Sequence, residues 1–417
     1  MSNIVIRGKK VLSGEIKVSG AKNSVVALLP AAILCDESVV IKNVPNISDI
    51  DALEEILNYL GVSVQRGSRE ITINSKNMKN DEISCVLASR LRASYYFMGS
   101  LLGRFHKVKM CFPGGCSIGE RPINLHLKGF EKLGAVVHED NGAFYLSADK
   151  LIGDEIFLDV PSVGATINIM LAAVKAHGKT VIDNAAMEPE IVDVARFLKS
   201  MGANITGEGT RKIEIIGVDK LYSTTYSVVP DRIEAGTYVI IASLLGENLK
   251  VSGLVPEHIE SLTSKLIEAG VKLNIGENYV RVDSVGNYKA IDVMTVVYPG
   301  FPTDLQQPLI PFLTQCSGVS HVEETIYENR FMNIPDTVKM GASIEVIDNK
   351  YATIYGRCKL VGKKVTATDL RGGASMIICG LIASGETTIT NVGHILRGYE
   401  DIVGKLSSVG ADIKIVD

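Results

Sequence analysis

The hydrophobic and polar positions of this 417-residue chain recur in one pattern. An amphipathic, helix-like stretch ends in a small or apolar residue and a glycine, and a β-prone tail follows. The pattern occurs six times: LGVSV at Leu60, LGAVV at Leu133, MGANI at Met201, AGVKL at Ala269, MGASI at Met340 and VGADI at Val409. The glycines are Gly61, Gly134, Gly202, Gly270, Gly341 and Gly410, spaced 68 to 73 residues apart. A glycine between an amphipathic helix and a strand reads as a helix C-cap, since it takes positive φ without a Cβ clash. Six such caps at near-constant spacing predict six structural repeats.

Each repeat carries a second pair of elements. A β-branched run bounded by turn residues precedes each capped helix: ESVVIKNV, HKVKMCF, GKTVIDNA, ENLKVSGL, GVSHVEET and GETTITNV. Before each run lies a stretch of small and apolar residues that reads as a buried helix. Its start is polar: SGAKNS, SRLRAS, SVGAT, RIEAGT, PTDLQQP and LRGGAS. The unit is therefore helix, strand, helix, strand. Six units predict an α/β chain of two similar domains of three repeats each, apolar helices inside and sheets outside.

Composition narrows the function. Lys plus Arg is 43 and Asp plus Glu is 47, a formal charge of −4. That argues against broad nucleic-acid binding, which needs a basic surface. The N-terminus has no signal-peptide pattern, and the longest aliphatic stretch, Val25 to Cys35, is too short to span a bilayer and contains Pro30. A soluble, cytoplasmic chain with no membrane partner is the expectation, a monomer by default. Seven cysteines without a CxxC motif predict neither a disulfide framework nor a zinc site. The seven histidines are scattered singly and read as structural or exposed.

The helix starts suggest chemistry. A helix N-terminus exposes unpaired N–H groups and partial positive charge, so it attracts anions. The cations Lys22, Arg92 and Arg371 stand at these starts. The second repeat has a long turn, FPGGCSIGERPIN, whose glycines and bracketing Pro113 and Pro122 suit a lid. It holds Cys116, with Arg121 nearby to favour the thiolate. The corresponding turns of the last two repeats hold Arg330 and Arg397. Arginines and a lysine around one pocket would grip a phosphate and a carboxylate. Asp304, among these cations, has two readings: an ordinary N-cap, or a base for a hydroxyl.

The motifs SGAKNS, RLRAS, PGGCSIGERP, SVGAT, MEPEIVDVA, PDRIEAGTY, GFPTDLQQP, ENRFMNIPD, TDLRGGAS and LRGYED occur in this order. Together they resemble the enolpyruvyl transferase family over essentially the whole chain, and the PGGC loop resembles its UDP-sugar branch. The resemblance implies an inside-out α/β barrel fold of two domains joined by a double crossover, 22–229 and 1–21 plus 230–417, with the active site in the cleft between them. It implies transfer of the enolpyruvyl group of phosphoenolpyruvate to UDP-N-acetylglucosamine, the committed step of peptidoglycan synthesis. No cofactor and no metal are implied.

The resemblance also implies roles. Lys22, Arg121 and Arg397 would hold phosphoenolpyruvate. Asn23, Arg92, Arg121, Pro122, Ile123, Asn124, Leu125, Ser162, Val163, Gly164, Asp304 and Ile326 would hold the UDP-sugar. Arg330, Arg371, Asp231, Glu188 and Asp369 would shape the charge of the cleft. Cys116 would act as general acid and Asp304 as base or orienting group, with Lys22 and Arg397 completing the catalytic set. Fosfomycin, an epoxide, alkylates the matching cysteine in similar enzymes. Asn124, Leu396 and Met187 depart from the usual Asp, Asp and Arg of the family. These departures keep one alternative in view, a slow or non-catalytic paralogue that binds the UDP-sugar; a shared fold, donor and reaction type keep another, the related 5-enolpyruvylshikimate-3-phosphate synthase, against which the PGGC loop speaks.

Overall fold

Every one of the six glycines has positive φ, from +77° at Gly61 to +110° at Gly341. Each closes a helix with the same pair of hydrogen bonds. Gly61 N–H donates to the Asn58 carbonyl and Val62 N–H to the Leu57 carbonyl, both at 3.0 Å. The same pair recurs after Gly134, Gly202, Gly270, Gly341 and Gly410. This is the Schellman arrangement, which satisfies carbonyls orphaned by the helix end and turns the chain toward the next strand. The helices it ends are Ser48–Tyr59, Asn124–Lys132, Pro189–Ser200, Glu260–Ala269, Ile334–Lys339 and Ile402–Ser408.

The computed structural model describes residues 2–111 and 123–416. Among them the strands form six separate sheets, five of four strands and one of three. All six β-branched runs are strands: Ser38–Lys42, Lys107–Cys111, Lys179–Asp183, Gly246–Ser252, Gly318–Glu323 and Glu386–Thr390. Alternate residues face inward, as pleating requires. Val39 pairs with Ile73 and Ile41 with Ile71, and all four side chains are fully buried.

The chain divides into two compact units. One holds 1–19 and 230–417; the other holds 20–229, less the undescribed segment. The first residues join the former because Asn3–Arg7 pairs with Glu386–Thr390 and Asp412–Val416, and Leu12–Lys17 pairs with Gly246–Ser252. Among the described residues each unit has three sheets on its surface and three apolar helices within. In 20–229 these helices are Lys22–Ala32, Tyr96–Phe105 and Val163–Ala173. In the other unit they are Arg232–Leu245, Thr303–Gln315 and Leu370–Ile382. Their side chains are buried on nearly all sides, so burial rather than amphipathic patterning holds them. A Cβ on Gly99 would stand 2.3 Å from the Asn168 carbonyl oxygen. The close approach of Tyr96–Phe105 to Val163–Ala173 therefore requires glycine there.

One expectation fails. Cys85 and Cys111 form a disulfide, Cα to Cα 4.9 Å. They lie 26 residues apart in sequence, but Ile83 bridges to Met110 in parallel, with Ile83 N–H donating to Lys109 O and Cys111 N–H to Ile83 O. That register sets Cys85 beside Cys111, which cysteine spacing alone does not reveal. No helix among the described residues is long and apolar enough to cross a membrane.

Candidate active site

In the unit containing 230–417, the starts of two inner helices and one loop bring their polar groups together. Asp369 caps Leu370–Ile382 by accepting from the N–H groups of Arg371 and Gly372 at 3.0 and 3.1 Å. Its other oxygen accepts from Gln307 Nε2 at 3.0 Å. Asp304 is not the N-cap of its helix; Pro302 holds that position. Asp304 instead accepts from Arg330 Nη2 at 2.5 Å and from Arg371 Nη2 at 3.0 Å, one guanidinium on each carboxylate oxygen.

Both arginine side chains are nearly inaccessible, 3% and 4% exposed, while Asp304 keeps 24%. Two buried cations are thus compensated by a carboxylate that still reaches solvent. Burial works against the Arg371 charge, but the Asp304 carboxylate, the Tyr399 phenolic oxygen and the Asp231 carboxylate hold its pKa above the ordinary value. The Arg371 guanidinium lies 5.4 Å from the Tyr399 ring centre, and that of Arg330 lies 5.2 Å from the Tyr327 ring. Both distances suit cation–π contact.

Ile326 belongs to a turn held by a residue the sequence reading passed over. Glu324 is 2% exposed. One of its oxygens accepts from the N–H groups of Ile326 and Tyr327, at 2.9 and 3.2 Å, and the other from Thr303 Oγ1 at 3.0 Å. Thr303 is the neighbour of Asp304, so Glu324 ties the Ile326 turn to the helix start. Asp231 caps Arg232–Leu245 through the N–H groups of Ile233 and Glu234. Arg397 ends the short helix Gly393–Leu396. Beyond it, Glu400 accepts from Ser19 Oγ at 2.5 Å, and Lys405 donates to Ser19 Oγ and Glu234, both at 2.6 Å. Burial raises the Glu234 pKa, and Lys405 opposes the shift.

The unit 20–229 gathers a second set. Lys22 opens its inner helix and pairs with Asp49, Nζ to Oδ2 3.1 Å. Asn23 follows it, partly exposed. Arg92 begins a 3-10 turn, Arg92–Tyr95, that leads into the next inner helix. Ser162 caps the third, its Oγ accepting from Ala165 N–H at 3.3 Å, and Val163 and Gly164 form the partly buried first turn. Ile123 is buried, Asn124 exposed and Leu125 partly buried at the head of Asn124–Lys132. Glu188 occupies the N-cap position of Pro189–Ser200. Cys116, Arg121 and Pro122 lie outside the described residues.

His126 was also passed over. It is 4% exposed and lies among Tyr95, Asn168 and Gly164. Burial, with the Arg92 charge adding to it, pushes its pKa down to about 3. The only sequence signal was its place directly after Leu125. Among the described residues no group of three His, Cys, Asp or Glu side chains is arranged to hold a metal ion. Each set by itself offers cations, backbone N–H groups at helix starts and carboxylates, suited to anionic ligands and proton transfer.

Comparison with known proteins bears on the same question. The EPSP synthase family, described as EPSP synthase (3-phosphoshikimate 1-carboxyvinyltransferase), matches residues 6–406. UDP-N-acetylglucosamine 1-carboxyvinyltransferase 2 of Listeria monocytogenes (serovar 1/2a) is 50% identical over 410 residues, covering 98% of this chain and 97% of that protein. The protein of the same name from Geobacillus kaustophilus is 50% identical over 413 residues, 99% of this chain and 96% of that one. Among solved structures, the enolpyruvyl transferase NikO from Streptomyces tendae superposes with a TM-score of 0.89 at 24% identity, covering 100% of this chain and 99% of that one. EPSP synthase from Acinetobacter baumannii gives 0.76 at 17%, with both chains fully covered. The two structures speak to the fold.

Proposed function

This chain belongs to the EPSP synthase family of enolpyruvyl transferases, and we propose that it is a UDP-N-acetylglucosamine 1-carboxyvinyltransferase. It would transfer the enolpyruvyl group of phosphoenolpyruvate to the 3-hydroxyl of UDP-N-acetylglucosamine and release phosphate, the first committed step of peptidoglycan synthesis. The observation that carries this reading is identity of about half over almost the full length of curated relatives that bear this activity in their names. The alternatives have less support. A phosphorylated shikimate acceptor is named in the family description, but the relatives at about half identity are named for the UDP-sugar.

The chemistry assigns work to the chain's own residues. The acceptor hydroxyl gives up its proton as its oxygen adds to C2 of phosphoenolpyruvate and the methylene carbon takes a proton, giving a tetrahedral phosphate ketal. Loss of that proton equivalent and of phosphate restores the double bond. Cys116 is the proposed acid for the methylene carbon. Lys22, Arg121 and Arg397 are the proposed partners of the phosphate and carboxylate, stabilising charge that stays high throughout. The helix start Ser162–Gly164, with Asn23, Arg92, Arg121, Pro122, Ile123, Asn124 and Leu125, is the proposed cradle of the nucleotide sugar.

Asp304 is better suited to orient the acceptor hydroxyl than to keep its proton. Each of its oxygens already accepts from a buried guanidinium. Taking a proton would weaken one of those bonds, so proton transfer through Asp304 must be transient. Both proposed substrates are water-soluble anions of the cell interior, which agrees with a cytoplasmic site of action.

The experiment is product identification. With phosphoenolpyruvate and UDP-N-acetylglucosamine, proton and carbon NMR should show a vinylic methylene on an ether at C3 of the sugar. A mixture unchanged by folded protein would refute the assignment.

A further inference from the structure

Three segments assigned above to the nucleotide sugar meet at one histidine. His126 lies in the first turn of Asn124–Lys132, directly after Asn124 and Leu125. The Tyr95 ring meets it edge to face, centroids 4.9 Å apart, which joins it to the Arg92–Tyr95 turn. Its Cε1 and Nε2 lie 3.0 and 3.1 Å from where a Cβ on Gly164 would stand. The imidazole therefore fills the space beneath the Ser162–Gly164 helix start, and glycine is what admits it.

The tautomer of the ring follows from hydrogen bonding alone. Asn168 Oδ1 accepts from Gly99 N–H at 2.8 Å, and Asn168 Nδ2 donates to the Tyr95 carbonyl at 2.9 Å. A backbone N–H only donates and a backbone carbonyl only accepts, so the Asn168 amide has a single orientation. Its Nδ2 also faces His126 Nδ1 at 2.9 Å. That nitrogen must accept, which leaves the ring hydrogen on Nε2, the side facing Gly164. A proton on Nδ1 would set two donors against each other in a buried site, beside Arg92.

We propose that His126 is a positioning residue of the acceptor site: its neutral Nε2–H ring, locked by Asn168, fixes the Ser162–Gly164 helix start against Arg92–Tyr95 and Asn124–Leu125. The proposal rests on the assignment of those three segments to the UDP-sugar. A neutral ring suits the place, since it holds the segments without adding a charge that varies with pH. Its loss should weaken acceptor binding and leave the chemical step and the donor nearly unaffected.

The test has a spectroscopic arm and a kinetic arm. Side-chain 15N NMR of the full-length protein should show His126 Nδ1 bare and Nε2 protonated at neutral and mildly acidic pH. Asn168→Asp, which puts a carboxylate against Nδ1, should move a proton onto it. His126→Phe should raise KM for UDP-N-acetylglucosamine by about tenfold or more, with kcat and the KM for phosphoenolpyruvate changed by less than about threefold. His126→Asn, whose amide oxygen can still accept from Asn168, should recover part of that loss. An Nδ1–H or charged ring in the wild type overturns the proposal. So does an unchanged acceptor KM in either His126 variant with wild-type melting behaviour. If His126→Phe does not fold, His126→Asn and the NMR arm still decide. A wild-type protein that binds no UDP-N-acetylglucosamine by calorimetry would instead refute the functional assignment, and the wild-type control separates the two failures.

Discussion

Asp304 and Arg371 stand 67 residues apart and meet at 3.0 Å, carboxylate Oδ2 to guanidinium Nη2. Arg330 takes the other oxygen. Asp304→Ala would leave two buried guanidinium groups without their shared counter-charge. Unpairing buried ions costs several kcal/mol, and the partial exposure of Asp304 reduces this to about 2 kcal/mol. Asp304→Asn keeps an acceptor and should cost less stability. Both variants should lose on the order of 10²–10⁴ in kcat, as removal of an acid–base or orienting group does. Thermal unfolding and steady-state phosphate release measure the two effects separately.

Glu324 should matter although it lies behind the residues proposed to touch substrate. It is buried and accepts from Thr303 Oγ1 and from two backbone N–H groups. Glu324→Gln replaces one acceptor with a donor, which should destabilise the fold by about 1–3 kcal/mol. It should also raise the acceptor KM through the Ile326 turn. Combined with Thr303→Val, the effects should be less than additive, because the two side chains share one hydrogen bond. Full additivity in denaturant titrations would contradict the coupling.

His126 gives the stability curve a slope in mild acid. Its folded pKa, about 3, lies below the ordinary histidine value of 6.5. Between those values the unfolded chain binds a proton that the folded chain refuses. Its contribution is therefore complete above the unfolded pKa and declines as pH falls toward the folded one, by about 1 kcal/mol per pH unit. His126→Asn should flatten the dependence of unfolding free energy on pH across this window. An equal slope in both proteins would show that other groups set it.

The thiols should respond selectively. Burial pushes the Cys316 and Cys379 pKa values up to about 12 and raises that of Cys35. Cys85 and Cys111 are joined. Of the free cysteines among the described residues only Cys358 is partly exposed, and Cys116 is the thiol proposed to react under native conditions. Fosfomycin should add one equivalent to the intact mass, and Cys116→Asp should remain unmodified. An adduct on Cys116→Asp would place the reactive thiol elsewhere, with the partly exposed Cys358 first to check.

The repeats were legible because their signal is local. A Schellman cap needs one glycine at positive φ and two backbone hydrogen bonds within a few residues, and Gly61 and its five counterparts each carry that signal. The six inner helices likewise begin where the polar starts were read, at Lys22, Val163, Arg232, Thr303 and Leu370, with Tyr96 following the Arg92 turn. What was hidden depends on contacts distant in sequence. Asp304 reads locally as an N-cap, and only the fold brings Arg330 and Arg371 to it. The Cys85–Cys111 bond follows from the Ile83–Met110 bridge. The role of His126 depends on Asn168 and Tyr95, on two other elements.

Phosphate release from phosphoenolpyruvate, with UDP-N-acetylglucosamine and shikimate 3-phosphate as parallel acceptors, tests the central claim most directly. The account predicts release with the UDP-sugar and none with the shikimate, at a rate that also reports on Asn124 and Leu396. Release with shikimate 3-phosphate, or with neither acceptor although the folded protein binds the UDP-sugar, would contradict it.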